Sequence, residues 1–231
     1  MQLLTVFGGG IFAPVIAQEC ERLGIGIKHS EIAAEEANAF FVAVNNCDGE
    51  LIGGVADMKA TDGITPQWLA ERIEAINGPD AVVVDANVPV EAIAWLIDNC
   101  EKPLYIDAVS VAKAGKIRQA VATSRRKSFF ALKCNALEYE ALAGLNAAER
   151  IYITAGAKGL RVIAGGQEHD FPAMPADVRN VTGGGDALLA GIVHMGPEAG
   201  IPESARAGLL CAKCAVESEE AVSNEIKNLK I

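Results

Sequence analysis

The segment Asn180-Val-Thr-Gly-Gly-Gly-Asp-Ala-Leu-Leu-Ala-Gly191 sets three successive glycines directly before an apolar helical run, with an acid in that run's first turn. Lacking Cβ atoms, Gly183, Gly184 and Gly185 let the backbone turn tightly and aim several N–H groups at one spot. The helix N-terminus adds positive potential there, and the two features together make an anion site. An acid beside such a site, Asp186, can accept the proton of an alcohol as that alcohol attacks a phosphorus atom whose charge is spread over backbone amides. The plainer alternative is a glycine-rich loop in which Asp186 only caps a helix.

Three other groups invite a chemical reading. Asn135-Ala-Leu-Glu138 follows the strand-like run SFFALK, and a carboxylate there suits a hard cation such as Mg2+ that keeps water and phosphate oxygens; a helix N-cap with an acid in the first turn explains the same residues. Thr154-Ala-Gly156-Ala-Lys-Gly159 joins a strand to a hairpin, and an ordinary turn accounts for it as well as a ligand loop does. Asp107, in the strand-like run LYIDA, reads more readily as a supporting carboxylate than as a catalytic one. Cys211 and Cys214 share a helix face, but zinc needs about two more ligands and no second close Cys pair or His pair is present, so they read as packing residues. His29, His169 and His194 are isolated and form no triad or metal spacing.

The elements that must carry these residues alternate. Strands are expected at 3–7, 81–86, 104–108, 128–133 and 150–155, with helices at 14–23, 66–76, 89–100, 136–143 and 184–195 between them. Near-continuous apolar strands interleaved with helices imply a mostly parallel sheet covered on both faces, with ligands gathering beyond the carboxyl ends of the strands. Residues 38–57 break this rhythm: ANAFFVAVNN, the turn Asp48-Gly49 and ELIGGVAD predict a β-hairpin, a lid or arm beside the sheet. A second hairpin is expected at 159–172 around Gly165-Gly166.

Composition narrows the functional classes. The 231 residues, 51% hydrophobic, suffice for one α/β domain over 1–231, and no stretch approaches the roughly 18 to 20 apolar residues that span a bilayer. The expected location is cytoplasmic, with no membrane partner. A formal net charge of −10 gives no electrostatic reason to bind nucleic acid. Six scattered cysteines read as reduced thiols.

Taken together, TGGGDALLAG, Asn135-x-x-Glu138 and Thr154-x-Gly156-x-x-Gly159, in that family's order along the chain, resemble the ribokinase-like, or PfkB, carbohydrate and nucleoside kinases. With VVVDANVPVEAIAWLIDNC, YIDAVS and LKCNALEYEALAG, the branch most resembled is pseudouridine kinase, over most of residues 1–220. The resemblance implies a three-layer α/β/α fold with a small β lid and ATP-dependent phosphorylation of a sugar or nucleoside hydroxyl. In it Asp186 is the catalytic base and the backbone of Gly183 to Gly185 the anion hole. It further implies that Asn135 and Glu138 organise Mg2+ and the nucleotide phosphates, Glu138 serving the metal, and that Thr154, Gly156, Gly159 and Thr182 contact ATP.

The resemblance has gaps. Relatives in the family open with a strand carrying Asn-x-Asp and a Gly-Gly loop that hold the sugar hydroxyls. Met1 of this chain matches a later strand, so the fold is expected to be shortened at its N-terminal side. Gly8-Gly9-Gly10 is a tight β-α turn, with neither the Gly-x-Gly-x-x-Gly nor the Gly-x-x-x-x-Gly-Lys-Ser/Thr spacing of a nucleotide loop. The interval from Asn135 to Thr154 is also short for the family. Asn180 stands where relatives often carry an Asp that supports a monovalent cation, which argues against potassium dependence. A non-catalytic or incomplete nucleotide-binding relative is the competing functional reading, with a thiol redox or metal protein behind it. The apolar hairpin at 38–57 is expected to cover the substrate or pair with a second copy as a homodimer.

Overall fold

The computed structural model describes residues 1–45 and 51–231. The chain runs β1 (Val6–Gly8), α1 (Phe12–Arg22), β2 (Glu31–Ala33), β3 (Phe40–Asn45), β4 (Leu51–Asp57), α2 (Pro66–Ala70), α3 (Ile73–Asn77), β5 (Val82–Asp85), α4 (Val90–Asn99), β6 (Leu104–Asp107), α5 (Val111–Thr123), β7 (Phe129–Asn135), α6 (Ala136–Ala141), β8 (Ala148–Thr154), β9 (Leu160–Ala164), β10 (Gln167–Phe171), α7 (Gly184–Met195) and α8 (Ile201–Val216).

Six of the strands form one sheet in the order β10-β9-β8-β7-β6-β5. β5 to β8 are parallel, as strands linked through α4, α5 and α6 must be when each returns to the same end of the sheet, while β9 and β10 are antiparallel hairpin additions. The pleat sends alternate side chains to opposite faces. Val84, Ile106, Leu132 and Cys134 join Ile97 of α4 and Ile117 of α5 in one core, whereas Tyr105, Ala131 and Tyr152 join Leu188 and Ile192 of α7 and Leu209 of α8 in a second. Two apolar layers on one mostly parallel sheet give the three-layer α/β/α architecture that the strand-helix alternation predicts.

Several boundaries differ from the sequence expectation for identifiable reasons. The single helix expected over 66–76 is two short ones, because Arg72 leaves helical geometry. Its guanidinium lies 3.8 Å from the Trp68 ring centroid and donates to the carbonyls of His29 and Trp68. The first strand is shorter than 3–7 and shifted to Val6–Gly8, where it pairs in parallel with the three-residue β2, an element too brief to show a pattern. β7 runs two residues past the expected strand end at 133 and so carries Asn135 directly into α6.

β3 and β4 form the expected hairpin, paired with each other and with no other strand among the described residues; the expected turn Asp48-Gly49 lies outside the described residues. Phe41, Val42, Val44, Ile52 and Val55 are exposed along it. Cys211 is buried between α7 and α8 with its sulfur close to Gly191, and Cys214 is half-buried against Ser223, as packing residues would be. No group of three or more His, Cys, Asp or Glu able to hold a metal occurs among the described residues, and no helix among them is long and apolar enough to cross a membrane.

Candidate active site

The carboxyl ends of β5, β6, β7 and β8 lie side by side, and strand register decides which side chains meet there. Asp85 is the register partner of Asp107, and Asp107 is that of Lys133. Register partners in a parallel sheet share a face. Because Tyr105 and Ala131, two residues earlier on β6 and β7, pack against α7, the row Asp85, Asp107, Lys133 also rises on the α7 side. Two residues further along β7, Asn135 is paired with Thr154 at the ends of β7 and β8.

Above this row the chain enters α7 through the three glycines. Gly183 is left-handed at φ 83°, and a Cβ on it would stand 2.0 Å from the Ala221 carbonyl oxygen, so only glycine fits the close approach of the C-terminal segment. The turn is braced by Asn180, whose side chain accepts from the Thr182 N–H at 2.9 Å and donates to the Glu219 carbonyl at 3.2 Å. Ala187 N–H bonds back to the Gly183 carbonyl, which leaves the N–H groups of Gly185 and Asp186 without a backbone acceptor among the described residues. These are the free first-turn donors that an anion would take.

Asp186 stands on that first turn and opens to solvent. Loss of hydration pushes its carboxyl upward from the ordinary carboxylate value. The Lys133 ammonium opposes the shift, and the carboxylates of Asp107 and Asp85 add to it. Lys133 is held by Asp107 through both carboxylate oxygens, at 2.9 and 3.2 Å, and both side chains are almost buried. Asp107 also accepts the N–H of Val109 at 2.9 Å, fixing a turn in which Val109 is forced to φ 64°, a costly conformation for a β-branched residue. Asp107 thus holds both Lys133 and the turn at Val109.

Asn135 and Glu138 form a reciprocal capping box on α6. The Asn135 side chain accepts from the Glu138 N–H at 2.9 Å, and Glu138 takes the Asn135 N–H and Nδ2 at 2.8 Å each. Glu138 is only 4% exposed, so its first task is to fix the start of α6 beside the strand ends. Thr154 ends β8 with its hydroxyl against the Cys134 carbonyl at 3.4 Å. Gly156 to Lys158 form one exposed 3-10 turn, closed by a bond from Ala155 N–H to the Gly159 carbonyl. Gly159 takes φ 103° where a Cβ would meet the Phe171 carbonyl oxygen.

The structure thus gathers Asp186, Gly183, Gly184 and Gly185 over Asp107, and sets Asn135 beside Thr154 on the neighbouring strand ends. Lys133 is the residue that sequence reading passed over. In SFFALKCN it looks like an ordinary strand-end lysine, and only the parallel register reveals that it faces an acid on β6 and a glycine of α7.

A mostly parallel sheet between helical layers, with a glycine turn and Asp186 set over the carboxyl ends of its strands, defines the chain as a three-layer α/β protein. The family follows from sequence comparison: residues 1–228 match the family model described as pfkB family carbohydrate kinase, and the chain belongs to that family. It is 27% identical over 239 residues to pseudouridine kinase of Escherichia coli K12, covering 94% of this chain and 74% of that protein. Among solved structures, a carbohydrate kinase from Agrobacterium tumefaciens superposes with TM-score 0.78 at 26% identity, over 98% of this chain and 78% of the other. The ribokinase of Arabidopsis thaliana, solved with ribose and ATP, shares the fold at TM-score 0.79 and 16% identity, over 95% of this chain and 77% of the other.

Proposed function

We propose that this chain transfers the terminal phosphoryl group of Mg-ATP to a hydroxyl of a sugar or nucleoside, with pseudouridine as the first acceptor to test. The reading rests above all on one arrangement: Asp186 in the first turn of α7, beside N–H groups with no backbone acceptor among the described residues and above the carboxyl ends of the parallel strands. Family membership and the 27% identity to a pseudouridine kinase support the choice of reaction and of first acceptor.

In the proposed step the Asp186 carboxylate takes the proton of the acceptor hydroxyl as its oxygen bonds to the γ-phosphorus. The bond from that phosphorus to the bridging oxygen breaks, and ADP leaves with the electron pair. The free amides of Gly185 and Asp186, in the turn shaped by Gly183 and Gly184, donate to the equatorial phosphoryl oxygens, where charge is carried in the transition state. Thr154, Gly156, Gly159 and Thr182 are assigned to the nucleotide, and the Asn135–Glu138 box to its metal-bearing phosphates.

Mg2+ suits this setting as part of the nucleotide substrate. The described residues offer no three-carboxylate cage, and a hard ion that retains water and phosphate oxygens needs little more than one carboxylate near its hydration shell. Glu138 fits that need, since each carboxylate oxygen keeps a lone pair beyond the one given to Asn135. We assign the chain a single working domain, with the β3–β4 hairpin as lid and as the surface through which two copies pair.

The test is ADP release from Mg-ATP by the purified chain with pseudouridine, uridine, adenosine, ribose and fructose 6-phosphate, run beside Asp186→Asn. Release that depends on one acceptor and collapses in the variant supports the proposal. A folded protein that releases nothing with any acceptor overturns it.

A further inference from the structure

Three carboxylates converge on one end of the sheet: Asp85 and Asp107 from adjacent strands, and Asp186 from α7. Among the described residues whose charge bears on Asp186, Lys133 is the one cation. It does not float on the surface. Its ammonium is gripped by both oxygens of Asp107, and a Cβ placed on Gly185 would lie 2.8 Å from its Nζ, so it is wedged between β6 and the turn that carries Asp186. The neighbouring cation on α5, Lys113, is turned toward Asn87 and acts on Asp85 instead. A buried lysine tied to a single acid would be costly to keep for stability alone, since an apolar pair of similar size serves a sheet end as well.

We infer that Lys133 is a positioning residue for the proposed phosphoryl transfer: held by Asp107 beneath Gly185, it supplies the counter-charge that keeps Asp186 ionised among three acids and ready to accept a proton. Gly185 follows from the same arrangement, because any side chain there would displace the ammonium from beneath the turn. Asp107 has the opposite sign of influence. It orients Lys133, yet its own charge pushes Asp186 toward protonation. This inference rests on the reading of Asp186 as the base, and it predicts a behaviour that a purely structural ion pair would not show.

The two partners should move the acid side of the rate profile in opposite directions. A general base loses activity as pH falls through its pKa. Removing the cation in Lys133→Met leaves Asp107 and Asp85 unopposed, so the acid limb of kcat/KM should move to higher pH by about 1 unit or more, the size expected when an opposite charge at close range is lost. Removing the acid in Asp107→Asn leaves the cation, and the limb should move to lower pH. Lys133→Arg keeps the charge and should return the limb toward wild type. The same shifts should be read without turnover by carbon-13 NMR titration of the Asp186 carboxyl, which also serves if a variant folds but transfers slowly.

Limbs and carboxyl titrations that stay in place in both Lys133→Met and Asp107→Asn, with melting temperature alone reduced, would overturn the inference and leave a structural ion pair. The companion Asp186→Asn separates the two levels. Full activity in that variant removes the base itself and with it the reading beneath; an inactive Asp186→Asn with an unmoved limb in Lys133→Met removes only the role given to Lys133.

Discussion

The strand-end site and the β3–β4 hairpin are built on opposite terms. Around the site nearly every group is held from within the chain: Asp107 by Lys133 and Val109, Asn135 by Glu138, the glycine turn by Asn180 and the C-terminal segment. Among the described residues the hairpin pairs only with itself, and it shows Phe41, Val42, Val44, Ile52 and Val55 to solvent. A two-stranded ribbon of that kind is marginal alone, and apolar residues on both of its faces ask for a partner. The lesson is a division of labour. On the proposed function, the phosphoryl-transfer half would be preorganised by these internal bonds, while the acceptor half would depend on what the hairpin meets.

The comparison breaks most visibly at Gly183. Gly183→Ala should lower turnover by about 100-fold or more, because a Cβ against the Ala221 carbonyl must tilt the amides away from the transferred group, and misplacements near 1 Å have that cost. Steady-state kinetics with saturating acceptor reads it, and wild-type turnover would show that the turn is not preorganised. In the hairpin the expectation reverses. Val42 and Val55 are cross-strand partners, and changing both to Asp should halve the particle mass in light scattering at micromolar concentration with little change in melting temperature. A wild-type chain that is already monomeric contradicts the pairing of two copies.

A smaller effect is expected at the capping box. Asn135→Ala should cost about 1 kcal/mol in a denaturant titration, the usual value of an N-cap, and should weaken Mg-ATP binding if the proposed place of the nucleotide phosphates beside α6 is right. An unchanged midpoint would place the strength of that corner elsewhere. The smallest effect concerns stability and pH. Folding raises the Asp186 carboxyl, so the folded state binds its proton more tightly than the unfolded chain does. That contribution is complete below the unfolded pKa, about 3.9, and lost as pH rises through the folded value. Asp186→Asn should therefore melt above wild type at neutral pH, with the difference closing as pH approaches about 4. A variant that melts below wild type at neutral pH would contradict this sign.

Much of this architecture is legible in the residues themselves. The glycine run before an apolar helix announces α7, VVVD and LYID announce parallel strands, and Gly165-Gly166 announces the β9–β10 hairpin, all because local backbone chemistry sets them. What escapes the sequence is what depends on partners distant along the chain. α5 was not among the clear helical patterns, since VAKAGKIRQAVAT mixes small and basic residues around Gly115 and gains its apolar face only against the sheet. The helix break at Arg72 depends on a carbonyl more than forty residues earlier, at His29. Lys133 is the sharpest case: it lies 26 positions from Asp107, and nothing short of the β6–β7 register brings the two together.

The most direct test of the account is a paired measurement on Asp186→Asn: Mg-ATP affinity by calorimetry, and a single turnover with the best acceptor by rapid quench. A base that acts only on the acceptor's proton predicts nucleotide affinity close to wild type and phosphoryl transfer slowed by about 100-fold to 10,000-fold. Transfer at the wild-type rate, or a loss of transfer no greater than the loss of nucleotide binding, would contradict the assignment of Asp186 as the base of a phosphoryl-transfer site.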